Sequence, residues 1–132
     1  MALTFYKCDK CGDVIIKAYD LEDEISCCGD PMKPLKADVT DAALEKHVPD
    51  VTIDGDQVKV QVGSTLHPMI PEHFITFIAL ETENGYEVHP LDPDHEPVAQ
   101  FAVAEGDKAI RVYEYCNVHG LWKKELLPDA VY

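Results

Sequence analysis

The sequence predicts a mainly β protein in two parts, a small cysteine-rich module over residues 1–36 and a β-sandwich over residues 37–132. Three observations lead there. Four of the five cysteines fall within the first 28 residues. Asp30, Pro31 and Pro34 then interrupt the chain, because proline fixes φ and has no amide to donate, which places the boundary near Leu35 to Val39. Beyond it, short apolar or alternating runs are separated by turn-forming residues. That pattern suits a sandwich of short strands better than alternating strands and helices.

In the first module Cys8 and Cys11 form a C-x-x-C, whose spacing lets both thiolates turn toward one ion, and Cys27-Cys28 follows after fifteen residues. Four thiolates make a tetrahedral, soft donor set that selects zinc or iron over calcium or magnesium. Thiolate count does not separate zinc from iron. The adjacent pair does bear on it, since Cys27 and Cys28 cannot both adopt the relaxed C-x-x-C geometry and the tetrahedron should be distorted. A vicinal Cys27–Cys28 disulfide is the strained alternative.

In the larger module Gln57 to Val62 alternates, with Val58, Val60 and Val62 on one face. Phe74 to Leu80 is a longer apolar run suited to a buried strand, and Val98 to Ala104 and Ala109 to Tyr115 are two further strands. The turns between them are Asn84-Gly85, Pro90 to Pro97 and Glu105-Gly106-Asp107. Only Asp41 to Glu45 has a helical look, and His89 to Pro97 reads as an ordered surface loop.

Five residues of this module stand out as a second donor set: His47 in EKHVP, His67 and His73 in HPMIPEH, and Cys116 and His119 in CNVHG. Pro49, Pro68 and Pro71 restrict the backbone beside them and Gly120 is a turn-former, which helps hold a site in shape before a metal arrives. The two-residue spacing of Cys116 and His119 lets both face one ion, and their proximity removes the default reading of Cys116 as a buried apolar thiol. Four imidazoles and a thiolate suit iron and leave one octahedral position free, whereas zinc prefers four ligands. His89 and His95 have no partner at ligand spacing and read as ordinary surface or hydrogen-bonded residues.

The 25 acidic and 11 basic residues give a formal charge of −14, which disfavours nucleic acid and anionic membrane surfaces as partners. No apolar run is long enough to span a bilayer, and the start MALTFYKCDK has no signal-peptide core. The chain is therefore expected in the cytoplasm, where cysteines more often bind metal than form disulfides.

Taken together, Cys8-x-x-Cys11, Cys27-Cys28, EKHVP, HPMIPEH and CNVHGLW resemble the desulfoferrodoxins, the two-iron superoxide reductases, over nearly the whole chain. The resemblance implies a desulforedoxin-like module with a first iron on Cys8, Cys11, Cys27 and Cys28. It implies an immunoglobulin-like sandwich with a catalytic iron, held by His47, His67, His73 and His119 in its equatorial plane and by Cys116 as axial thiolate. Glu45 and Lys46 match the residues that border the open position. The implied reaction is one-electron reduction of superoxide to hydrogen peroxide without formation of oxygen, with a rubredoxin-type electron donor and a homodimeric assembly.

On this reading Lys46 draws the anionic substrate against the global charge, and Glu45 takes the sixth position in the ferric resting state. Asn117 is expected to donate its backbone amide to the Cys116 sulfur. Tyr115 and Trp122 are expected to pack in the core. A carrier in which both irons only pass electrons and a structural zinc protein are the rival readings, separated by binding of azide or cyanide and by metal analysis.

Overall fold

The computed structural model describes residues 3–38, 42 and 44–126, without the side chain of Glu45. It divides into two compact units, Met1–Lys36 and Ala37–Tyr132.

In the first unit β1 (Phe5–Lys7) is flanked by β2 (Val14–Ile16) and β5 (Lys33–Pro34), and β3 (Ser26–Cys27) pairs with β4 (Asp30–Pro31). So short a chain buries little, namely Phe5, Cys8 and Met32. A unit of this size usually needs a metal or disulfides to supplement its core.

The second unit is a sandwich of two antiparallel sheets, with the only helix among the described residues, α1 (Leu44–His47), before its first strand. One sheet has the order β10-β7-β6, with β6 at Pro49–Asp54, β7 at Gln57–Val62 and β10 at Val98–Ala102. The other has the order β12-β11-β8-β9, with β8 at Ile75–Thr82, β9 at Tyr86–Pro90, β11 at Ala109–Cys116 and β12 at Gly120–Glu125. Val58, Val60 and Val62 face Ile75, Ile78, Leu80, Val112 and Cys116 across the interior, with Phe101 among them. Each such side chain contributes about 1.5–3 kcal/mol by leaving water.

All four expected strands are present, β7 with the expected bounds and the other three with ends moved by at most two residues. Three others were not expected. β6 pairs with β7 through a tight turn in which Gly55 has φ 61, a left-handed conformation that favours glycine; the Asp54-Gly55 dipeptide was its sequence signal. β9 takes His89 and Pro90 out of the expected surface loop and pairs them with Ile78 and Phe77. β12 returns from the Cys116–His119 loop. The expected helix at Asp41 to Glu45 lies later, at Leu44–His47; Asp41 and Ala43 fall outside the described residues.

Candidate metal centres

In the first unit one ligand atom from each of Cys8, Cys11, Cys27 and Cys28 lies within 4.8 Å of the others. A turn from Cys8 to Gly12 brings in the first pair, closed by the Gly12 amide on the Cys8 carbonyl at 2.9 Å, with Gly12 at φ 85. The second pair converges by a different device. Cys28 has φ 54 and Gly29 φ 83, and this left-handed stretch rotates Cys28 off the alternation that would otherwise send adjacent side chains apart.

The sulfurs of Cys27 and Cys28 are 3.9 Å apart and those of Cys11 and Cys27 3.5 Å, and all the cysteines are free, so no vicinal disulfide forms. Backbone amides at Cys11 and Lys10 pull the Cys8 thiol down to about 7. The Cys8 and Cys11 sulfurs push Cys27 well above the ordinary thiol range, and Cys11 pushes Cys28 up. Four sulfurs crowded in this way need a cation to become thiolates together.

In the second unit the ligand atoms of His47, His67, His73, Cys116 and His119 also lie within 4.8 Å of one another. They come from the end of α1, from the loop between β7 and β8, and from the turn between β11 and β12. The four rings form a closed cycle of near-perpendicular neighbours. Centroid distances are 4.7 Å for His47 and His67, 4.6 Å for His67 and His73, 5.0 Å for His73 and His119, and 4.7 Å for His119 and His47. His47 and His73 face each other across it at 6.5 Å.

Nitrogens crowd the middle: His47 Nε2 is 3.0 Å from His119 Nδ1 and 3.2 Å from His67 Nε2. The Cys116 sulfur lies 3.4 Å from His67 Nε2 and 3.9 Å from His119 Nδ1. His67 Nδ1 donates to the Pro68 carbonyl at 2.7 Å, which leaves its Nε2 lone pair directed inward. Burial drives His67 down to about 4 and lowers His73, so both rings are neutral and ready to ligate near pH 7.

Two features show that these residues fit a metal. His73 Nε2 is buried with no hydrogen-bond partner, a costly state for a lone pair in a folded protein. Burial also raises the Cys116 thiol above its ordinary range, against the backbone amides of His119 and Val118, so its thiolate needs a positive neighbour. Four imidazole nitrogens of borderline softness and one soft sulfur suit iron, and five donors exceed what zinc prefers.

The surroundings differ in part from expectation. The Asn117 amide donates to the Phe74 carbonyl at 3.2 Å and not to sulfur; the Cys116 sulfur instead accepts from the His119 amide at 3.3 Å. The cause is the turn itself, which folds the amide of His119 back over Cys116 while Asn117 continues the pairing with β8. Trp122 is buried as expected, and it also donates from its indole nitrogen to the His119 carbonyl at 3.2 Å and lies 5.0 Å from the His47 ring. Tyr115 is buried and stacks on Phe77.

Glu114 was not anticipated. It is fully buried between Val112 and Cys116, both its oxygens lack partners, and burial pushes its carboxyl well above the usual range. No motif marks such a residue, and only the inward side of β11 reveals it. Lys46 is exposed on α1, and its charge contributes, after burial and His119, to lowering His73. The side chain of Glu45 lies outside the described residues. His89 bonds to Glu87 and packs on Phe101, and exposed His95 lies near Asp92 and Asp94; neither joins a ligand group.

Comparison with known proteins agrees with this geometry. The family described as Desulfoferrodoxin matches residues 39–125. A desulfoferrodoxin of Clostridium acetobutylicum is 41% identical over 94% of this chain and 97% of its own, and one of Syntrophotalea carbinolica is 43% identical over 93% and 96%. Among solved structures, the superoxide reductase from Treponema pallidum superposes with a TM-score of 0.80 at 34% identity, covering 95% of this chain and all of its own. Both donor clusters thus match the two iron ions expected of the motifs, and the chain belongs to the desulfoferrodoxin family.

Proposed function

We propose that this chain is a superoxide reductase, an enzyme that converts superoxide to hydrogen peroxide with one electron and two protons. One observation carries the reading: four imidazoles close into a ring beside a single cysteine sulfur, a set that would give an iron five protein ligands and leave a position for substrate. The superoxide reductase of Treponema pallidum, aligned over nearly the whole chain, supports it.

Iron bound there supplies the one-electron reduction. His47, His67, His73 and His119 would hold that iron through a ring of nitrogens, and Cys116 would add a thiolate whose charge favours electron donation from the metal. The His119 amide on the Cys116 sulfur at 3.3 Å tempers that charge and fixes the sulfur in place. Lys46, exposed and close enough to influence His73, draws the anion in. Glu45, its neighbour on α1, would provide a carboxylate to border the open position of a bound iron. Solvent at the exposed side supplies the protons.

The first unit, residues 1–36, holds an iron on Cys8, Cys11, Cys27 and Cys28, and residues 37–132 hold the catalytic one. A rubredoxin-type donor, a homodimer and a cytoplasmic setting complete the proposal, supported by the family resemblance. Among the described residues no helix is long and apolar enough to cross a membrane.

The test is iron quantitation with spectra in both redox states, followed by stopped-flow mixing with superoxide. Two irons per chain and rapid oxidation of the histidine site by superoxide are expected. An oxidised spectrum indifferent to azide, with no reaction toward superoxide, would instead make the chain an electron carrier.

A further inference from the structure

The five donors differ in how they are held. His47, His67, His119 and Cys116 touch one another, and His67 is fixed by Pro68. His73 is only half-buried, and its Nε2 has no partner. Its own backbone is tied to Ile70 alone, by a bridge with distances of 3.0 and 3.2 Å. What fixes this segment against the rest of the site is a residue that is not a ligand.

Asn117 makes three hydrogen bonds to the residues on either side of His73. Its backbone amide donates to the Phe74 carbonyl at 3.2 Å. Its side-chain oxygen accepts from the Phe74 amide at 2.9 Å, and its side-chain nitrogen donates to the Glu72 carbonyl at 3.2 Å. The pairing of β8 with β11 is irregular here, shifting between Tyr115 and Cys116, and β8 begins only at Ile75. A carboxamide carries a donor and an acceptor in one plane, as a peptide group does, so Asn117 prolongs the ladder by two residues where the backbone alone cannot.

We propose that Asn117 is a positioning residue that sets His73 against Cys116 and so fixes the fourth imidazole of the ring. The inference rests on the reading of His73 as a ligand. Asparagine is required because either half of the amide alone serves one flank of His73 and releases the other. Aspartate would keep the contact to the Phe74 amide but set an anion against the Glu72 carbonyl.

The test measures iron affinity by chelator competition on the full chain, at both sites, in Asn117→Ala, His73→Ala and the double variant. The four-cysteine site is the internal reference. Asn117→Ala should weaken iron at the histidine site on the order of 10- to 100-fold, the usual effect of removing a partner that orients a ligand, with the four-cysteine site unchanged. In a His73→Ala background the same change should have no further effect, because the ligand through which Asn117 acts is gone.

An equal loss in both backgrounds, or no loss in either, would overturn the proposal; a purely structural role gives the first. If Asn117→Ala does not fold, Asn117→Asp carries the same comparison, with the absorption of the oxidised histidine site as second readout. Failure of His73→Ala alone to weaken iron would sink the ligand reading, a result distinguishable from a silent Asn117.

Discussion

His67 is 3% exposed, and burial drives its ring from an ordinary value of 6.5 to about 4. In the metal-free protein the unfolded chain therefore takes up a proton first as pH falls. The associated stability is fully present above about 6.5 and is lost progressively toward about 4. Urea midpoints of the metal-free protein should fall through that window, and His67→Gln should flatten the slope. Iron should leave the histidine site as pH falls toward about 4, since protons and metal compete for the nitrogens. Cys116→Ser should abolish the sulfur-to-iron absorption of the oxidised histidine site, and a persisting band would remove Cys116 from the ligand set. All nine donors were legible as residue types beside turn-formers. Asn117 was foreseen only as an amide donor to sulfur and Glu114 not at all, because their roles depend on tertiary neighbours: Asn117 meets Phe74 from 43 positions away.

The hairpin of β11 and β12 carries two of the five donors at its turn. It closes with Cys116 opposite Gly120, and Gly120 has φ 82, a conformation that costs an L side chain roughly 1–2 kcal/mol. Gly120→Ala should lower stability by about that amount in urea titrations and weaken iron at the histidine site, since the turn also sets the His119 amide on sulfur. At this scale the sequence was partly legible, and the omissions share a cause. β6, β9 and β12 are all edge strands, and β10 was the one edge strand foreseen. A strand paired on one side and open on the other carries charge and proline, as in Glu87 to Pro90 or Lys123 to Glu125, and loses the alternation that marks interior strands such as β7. Tight turns could have compensated, and Asp54-Gly55 did mark β6.

The whole chain carries a charge of −14, and superoxide is an anion, so the long-range field opposes approach while Lys46 favours it nearby. Added salt should slow the wild-type reaction if the local attraction governs encounter. In Lys46→Ala the second-order rate should fall, and its salt dependence should weaken or reverse, because only the repulsion is left to screen. An unchanged rate would remove Lys46 from the mechanism. The two clusters also differ in how far along the chain their donors are scattered. Cys8 and Cys27 are 19 positions apart, whereas His47 and His119 are 72 apart and are joined by strands of both sheets. On a ribosome that releases the N terminus first, all four cysteines are out before the first of the clustered histidines. The ring of imidazoles closes only after nearly the entire sandwich has been made. The histidine site therefore demands the folded sandwich, whereas the four-cysteine site demands only a short stretch of chain.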